Sequence, residues 1–152
     1  MNQFMLRAIE LANDNVENGG TPYGAVVVYQ NEIIGEGFNT LHKEYDISGH
    51  AELIAIREAQ AVLKTNDLSE CTIYASGHPC PMCFGAIGFV GIKTVYYANT
   101  LKEASAVGMH LSENIYEYLK GNESPYSIQV VHTPISSRVV DPMTHYKKVI
   151  KN

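Results

Sequence analysis

Cysteine is scarce in this chain: 152 residues contain three, Cys71, Cys80 and Cys83. So few cysteines exclude a disulfide framework and fit a reducing compartment. Basic residues are few as well. Eleven Lys and Arg stand against sixteen Asp and Glu, a formal net charge of −5. That balance does not suit a protein whose main task is gripping a phosphate backbone. No apolar run is long enough to span a bilayer. The opening residues Met1-Asn2-Gln3-Phe4-Met5-Leu6-Arg7 lack the charged-then-apolar pattern of a secretory leader. The expectation is a cytoplasmic protein without membrane or nucleic-acid partners. Repeats, low-complexity tracts and linkers are absent too, and the length suits a single core, so residues 1–152 are read as one domain.

What is present is organised by periodicity. Met5, Ala8, Ile9, Ala12 and Val16 recur at helical spacing and predict an amphipathic helix over about 2–17. Asn18-Gly19-Gly20-Thr21-Pro22 ends it. Gly24 to Tyr29 reads as a buried strand, Gln30-Asn31 as a turn, and Glu32 to Asn39 as a second, antiparallel strand. Gly35 and Gly37 within that strand mark the close approach of another element. A polar loop from Leu41 to Gly49 leads into a helix that starts at His50, with Ser48-Gly49 as its cap, and runs to Leu63. Cys71 to Ser76 is a third strand, Cys80 opens another helix, and Lys93 to Ala98 is a fourth strand. Strand, helix, strand over this length is a βαβ unit, so the third and fourth strands should be parallel. Ser105 to Gly108 reads as a loop, Ser112 to Lys120 as a short helix, and Ser127 to Val131 as a fifth strand. Pro134 or Pro142 starts a last helix carrying Tyr146, Val149 and Ile150. This order predicts a three-layer α/β/α sandwich around a central mixed five-stranded sheet. In such sheets, sites form beyond the strand carboxyl ends at helix N-termini.

Two motifs fall there. His50-Ala51-Glu52 and Pro79-Cys80-Pro81-Met82-Cys83 together offer one imidazole and two thiolates. Three such ligands hold a zinc ion and leave its fourth position open to water or hydroxide. Pro81 fits an early helical position. Cys80 and Cys83, three apart, share one helical face. Two helix N-termini would then point at one ion, and their positive ends favour thiolate over thiol. The pKa of a water bound there falls toward about 7, and Glu52 stands beside it as a proton carrier. The competing reading is a zinc-stabilised binding module without catalysis. Its closed site needs a fourth protein ligand, for which Cys71, His78 and His42 are the candidates. Cys71 opens an apolar strand, and His78 sits only two residues from Cys80. That reading also leaves Glu52 without a task.

These residues resemble the cytidine deaminase-like superfamily, in which zinc nucleobase deaminases carry His-x-Glu followed by Pro-Cys-x-x-Cys. Two bacterial branches, tRNA adenosine deaminases and guanine deaminases, are similar to Gly24-Ala25-Val26-Val27-Val28, His50-Ala51-Glu52, Pro79 to Cys83 and Gly85-Ala86-Ile87. The similarity to guanine deaminases extends to Pro22-Tyr23-Gly24-Ala25, to the stretch Glu103 to Gly108 and to Ile115-Tyr116. The Asp-Pro-Lys and Asn-His segments of the tRNA enzymes are absent. The resemblance implies one zinc per subunit on His50, Cys80 and Cys83, with Glu52 shuttling protons. It implies that Asn39 contacts the substrate ring and that Tyr23 and the Ala51 backbone line the pocket. It also implies a homodimer in which the C-terminal segment, residues 133–152, closes over the site as a lid that can be exchanged between subunits and carries Tyr146. Guanine deaminases place an aspartate shortly after the glycine that follows the fourth strand. Here Met109-His110-Leu111 stands there, which makes His110 a candidate substrate contact. The implied reaction is hydrolytic deamination of a free nucleobase, guanine to xanthine and ammonia. A tRNA adenosine, or another small amino-substituted ring such as a pyrimidine or triazine, is the alternative substrate.

Overall fold

The computed structural model describes residues 2–125, 128–136 and 140–149. Asn2 begins it: its side chain accepts the Phe4 N–H at 2.7 Å and caps α1, Gln3–Glu17. Phe4, Met5, Ala8, Leu11 and Ala12 form the buried stripe of that helix. The last turn departs from the expected pattern. Val16, read as a core position, is 47% exposed, and Asn15 is buried in its place. The stripe runs 4, 8, 11, 15, and hydrogen bonds described below take up both N–H groups of the amide at its end.

β1, Gly24–Tyr29, is apolar along its length and nearly all of it is buried, as expected of a strand covered on both faces. Gln30 and Asn31 both take positive φ, 47° and 65°, and turn the chain into β2, Glu32–Phe38. A two-residue turn of this hand matches the twist of a hairpin, and β2 pairs antiparallel with β1. α2 (Ala51–Leu63), β3 (Thr72–Gly77), α3 (Pro81–Phe89) and β4 (Val95–Asn99) follow. β3 pairs antiparallel with β1 and parallel with β4, so the mixed sheet has the order β2-β1-β3-β4. Alternation along the strands assigns the faces. Val26 and Val28 meet Phe4 and Leu11 of α1 on one side. Ala25, Val27, Ile73 and Ala75 meet Ala51, Ala55, Ala59 and Ile87 of α2 and α3 on the other. The three layers and the parallel βαβ unit are those expected. Gly35 and Gly37 do mark a close approach: a Cβ at either would lie 2.1–2.2 Å from a backbone oxygen of α2.

Three local expectations are corrected. Among the described residues the sheet has four strands, not five. Residues 128–131 form no strand, and Ser127 lies outside the described residues. A strand needs a ladder partner and a face to bury. Among the described residues Val130 and Val131 have neither, and they are 85% and 69% exposed. The segment read as a loop from Ser105 is partly helical, because α4, Leu101–Ala106, is nucleated by a capping box between Thr100 and Glu103. α2 is capped by His50 and not by Ser48-Gly49, and the His50 side chain makes no cap hydrogen bond because it turns toward the cysteines. α5, Leu111–Leu119, and α6, Pro142–Val149, are the remaining helices. Among the described residues no helix is long and apolar enough to cross a membrane.

One ion pair ties α1 to the far strand. Arg7 donates from Nε to Glu36 Oε1 at 2.8 Å and from Nη2 to Oε2 at 2.9 Å. The guanidinium hydrogen bonds hold the Glu36 carboxyl below the usual carboxylate range. Both side chains are more than a third exposed, so solvent screens the pair, and Glu36→Gln is expected to lower stability by only about 0.5–1 kcal/mol at neutral pH. A depressed folded pKa contributes stability above the unfolded value and loses it as pH falls through the folded one. The gap between wild type and variant in urea unfolding should therefore close in acid.

Candidate active site

One edge of the sheet collects the chemistry. Tyr23 precedes β1, Asn39 follows β2, Gly77 and His78 end and follow β3, and Asn99 ends β4. The N-termini of α2 and α3 point at the same region. His50 is the N-cap of α2, in extended conformation, and Cys80 is the N-cap of α3 with Pro81 in the first turn. Cys80 Sγ accepts the Cys83 N–H at 3.4 Å. The caps leave the side chains of His50, Cys80 and Cys83 converging, with their ligand atoms all within 4.8 Å of one another.

His50 Nδ1 lies 3.5 Å from both Sγ atoms. A tetrahedral zinc, with Zn–N of about 2.0–2.1 Å and Zn–S of about 2.3 Å, sets that separation at about 3.6 Å. The donor set and its spacing therefore fit zinc. Among the described residues no fourth protein ligand joins the group. Cys71 is buried in the core, where burial raises its thiol. His78 sits against the rings of Tyr97 and Tyr116, with Nδ1 2.9 Å from the Pro79 carbonyl. The two thiols divide their charge: the hydrogen bond from Cys83 pulls Cys80 down to about 4, and the same contact pushes Cys83 up. His50 is raised, chiefly by its contact with Cys80. A cation among the three ligands favours thiolate on both sulfurs and neutral imidazole.

Glu52 occupies the first turn of α2 and is 6% exposed, yet its carboxyl borders the cavity. Burial raises it above the usual carboxylate range, and charge on Cys80 adds to the rise. A carboxyl with a raised pKa beside a metal site is suited to taking and returning a proton near neutral pH.

The cavity in front of these groups measures about 560 Å³. Tyr23, Asn39 and His110, all read from the sequence, line it. Asn39 is held in one orientation. Its Oδ1 accepts the Leu41 N–H at 3.0 Å, which leaves the amide Nδ2 as the group it can offer to a ligand. Tyr23 donates to Met109 Sδ at 3.0 Å, so its hydroxyl bridges to the opposite wall. Ala51 is buried at the start of α2 but does not itself line the cavity. Tyr146 is not brought to the site of its own chain: it is 64% exposed on α6 and absent from the lining.

Of the wall from Asn99 to Ser112, the sequence singles out His110 as a substrate contact, and the structure adds others. Glu103 and Thr100 line it beside His110. The Glu103 carboxylate accepts from Thr100 N at 2.7 Å and from Thr100 Oγ1 at 2.9 Å. The signal was present as Thr-x-x-Glu, a capping box before an apolar run. Tyr116 serves the site without lining the cavity. Its hydroxyl donates to the Pro79 carbonyl at 2.7 Å and so braces the turn before Cys80.

The model of the cytidine and deoxycytidylate deaminase zinc-binding region matches residues 1–99, which include His50, Glu52, Cys80 and Cys83. The chain belongs to this family. Guanine deaminase of Bacillus subtilis is 43% identical over 106 residues, 69% of this chain and 68% of that protein. The tRNA-specific adenosine deaminase of Buchnera aphidicola subsp. Schizaphis graminum is 39% identical over 100 residues, 66% of each chain. Among solved structures, the Bacillus subtilis guanine deaminase superposes with a TM-score of 0.85 over 100% of this chain and 96% of that one, at 33% identity. A guanine deaminase from Nitrosomonas europaea superposes at 0.64 over 69% of this chain and 62% of that one, at 31% identity. The mixed α/β sandwich read from the sequence is thus the fold of this deaminase family.

Proposed function

We propose that the protein is a zinc-dependent hydrolytic deaminase of a free nucleobase, with guanine as the base and xanthine and ammonia as products. The observation that carries the chemistry is the open three-ligand site, His50, Cys80 and Cys83 at zinc spacing, with the buried Glu52 carboxyl beside it. The choice of branch is supported by the superposition on a guanine deaminase along the whole chain, including the α4–α5 wall.

When bound, zinc supplies a polarised water as nucleophile. Glu52 takes a proton from that water and returns protons to the ring nitrogen and to the departing amine. The ring carbon exchanges its C–N bond for a C=O bond, and ammonia leaves. Asn39, fixed as a donor, pairs with an acceptor on the ring, which a purine oxygen or ring nitrogen provides. His110 and Glu103, which also line the cavity, offer acceptors for a ring edge that carries N–H groups, as guanine's does.

The same reading includes a homodimer with residues 133–152 as an exchanged lid. Met143, Tyr146 and Val149 of α6 are 76%, 64% and 60% exposed, and they leave the cavity of their own chain uncovered. A second subunit gives those apolar side chains a surface and brings Tyr146 to the partner's cavity.

The test is ammonia release from zinc-loaded protein across free bases, nucleosides and a tRNA anticodon stem-loop. Guanine is expected to turn over best. Turnover of another free ring keeps the chemistry and replaces the substrate. Ammonia from the RNA alone would move the protein to the adenosine branch, and no ammonia from any of them favours the zinc-stabilised binding module.

A further inference from the structure

We infer that Asn15 is a positioning residue of this site, acting through Asn39. It lies at the end of α1, 3% exposed, at a helix position that otherwise carries apolar side chains. Its Nδ2 donates to the Thr21 carbonyl at 2.8 Å and to the Asn39 carbonyl at 2.9 Å. Both partners are acceptors only, so they fix which end of the amide faces them. Both amide protons are used, and each reaches a residue that lines the cavity.

The arrangement is not one that stability alone selects. Asn15 Oδ1 is buried and has no hydrogen-bond partner among the described residues, and an unpaired buried acceptor destabilises the fold. The neighbouring chain makes room for the amide: a Cβ on Gly20 would fall 2.5–2.6 Å from Asn15 Nδ2, Cγ and Oδ1. The result is that Asn39 is clamped at three points. Its N–H donates to the Tyr23 carbonyl at 3.1 Å, its carbonyl accepts from Asn15, and its Oδ1 accepts from Leu41. What remains on this cavity-lining residue is Nδ2, a donor. Asn15 therefore sets where that donor sits and joins it to the Thr21–Tyr23 segment on the same wall.

The inference rests on the reading that Asn39 contacts the substrate ring. The experiment is a double-mutant cycle in the zinc-loaded full chain, with guanine as the probe. Asn39→Ala and Asn15→Ala are each expected to raise KM roughly tenfold with kcat within about twofold, the mark of lost binding without lost chemistry. The double variant should be no worse than Asn39→Ala, because a residue that acts through Asn39 has nothing left to position. Multiplied losses would assign Asn15 a purely structural role and overturn the inference, as would an unchanged KM in Asn15→Ala. An unchanged KM in Asn39→Ala would remove the reading beneath it as well. Gly20→Ala, which keeps Asn15 but crowds its amide, serves where Asn15→Ala does not fold and should raise KM in the same direction. Amide exchange at Leu41 reads the clamp without any substrate. Faster exchange in Asn15→Ala, or in Gly20→Ala where that stands in, supports the inference even if guanine is not turned over. An unchanged rate counts against it.

Discussion

Glu52→Gln is expected to keep its zinc and lose deamination by roughly 10²–10⁴-fold, the range that a general acid–base group contributes. The substitution preserves shape, turns one carboxyl oxygen into an amide NH2 donor, and removes the group that can take and return a proton. His50, Cys80 and Cys83 are untouched, so metal content measured by elemental analysis should match wild type. Stability should not fall. The carboxyl is 6% exposed and held above its usual range by burial, and an ionised group in such a place is costly to keep. The variant should therefore melt no lower than wild type. Loss of turnover without loss of zinc or stability is a pattern that a structural glutamate does not give. Turnover within tenfold of wild type would remove Glu52 from the proton-transfer role.

Gly37→Ala is expected to destabilise the fold by about 3 kcal/mol and to loosen the metal site at the same time. A Cβ there would lie 2.2 Å from the Ala51 oxygen, 2.9 Å from the Ala55 nitrogen and 3.0 Å from Ile54 Cβ. Two of these are backbone atoms in the first turns of α2 and cannot rotate away. The helix must lift off the sheet, and overpacking of this kind typically costs about 1–3 kcal/mol and at times more. For a chain of this size that is a fall in Tm of roughly 6–12 °C. The lifted turn is the one that carries Glu52 and follows His50, whereas Cys80 and Cys83 ride on α3. His50 should therefore shift relative to the two thiols, and zinc affinity should drop together with Tm. Gly35→Ala makes the comparison sharper. Its Cβ would meet the Ala55 oxygen at 2.1 Å, one turn further from the ligands. It should cost similar stability with a smaller effect on metal binding. Equal zinc affinity in Gly37→Ala and wild type would show that the seating of α2 does not set the His50 position.

How much of this was legible depends on the range over which the controlling interactions act. Helix and strand periodicity is local, so α1, β1, α2 and β3 could be read to within a residue or two, as could the start of α3. The hairpin turn at Gln30-Asn31 is local as well. The strand glycines carried longer-range information, because a missing side chain between buried neighbours implies something close, and α2 is what lies there. The reading failed where a segment's state depends on a partner. Residues 128–131 have strand-forming side chains, but no described neighbour pairs with them, so they stay outside the sheet. Asn15 was passed over in favour of Val16 because an asparagine is ordinarily placed on the wet face. Only the two carbonyls waiting at Thr21 and Asn39 make its burial possible.

By itself, then, the sequence determined the chemistry. One imidazole, two thiolates three residues apart and a carboxylate two residues past the histidine are residue types at local spacings, and local backbone geometry puts them at two helix starts. The tertiary structure decided that those two starts meet. Cys80 is thirty positions from His50, and the 3.5 Å between Nδ1 and each sulfur exists because β1 pairs with β3, so that the helices following β2 and β3 pack side by side on one face. It also decided which groups face the cavity. Behind that cavity it set Asn15 against the Asn39 carbonyl and Tyr116 against the Pro79 carbonyl, and hydrogen bonds between residues so far apart in the chain cannot be read from spacing.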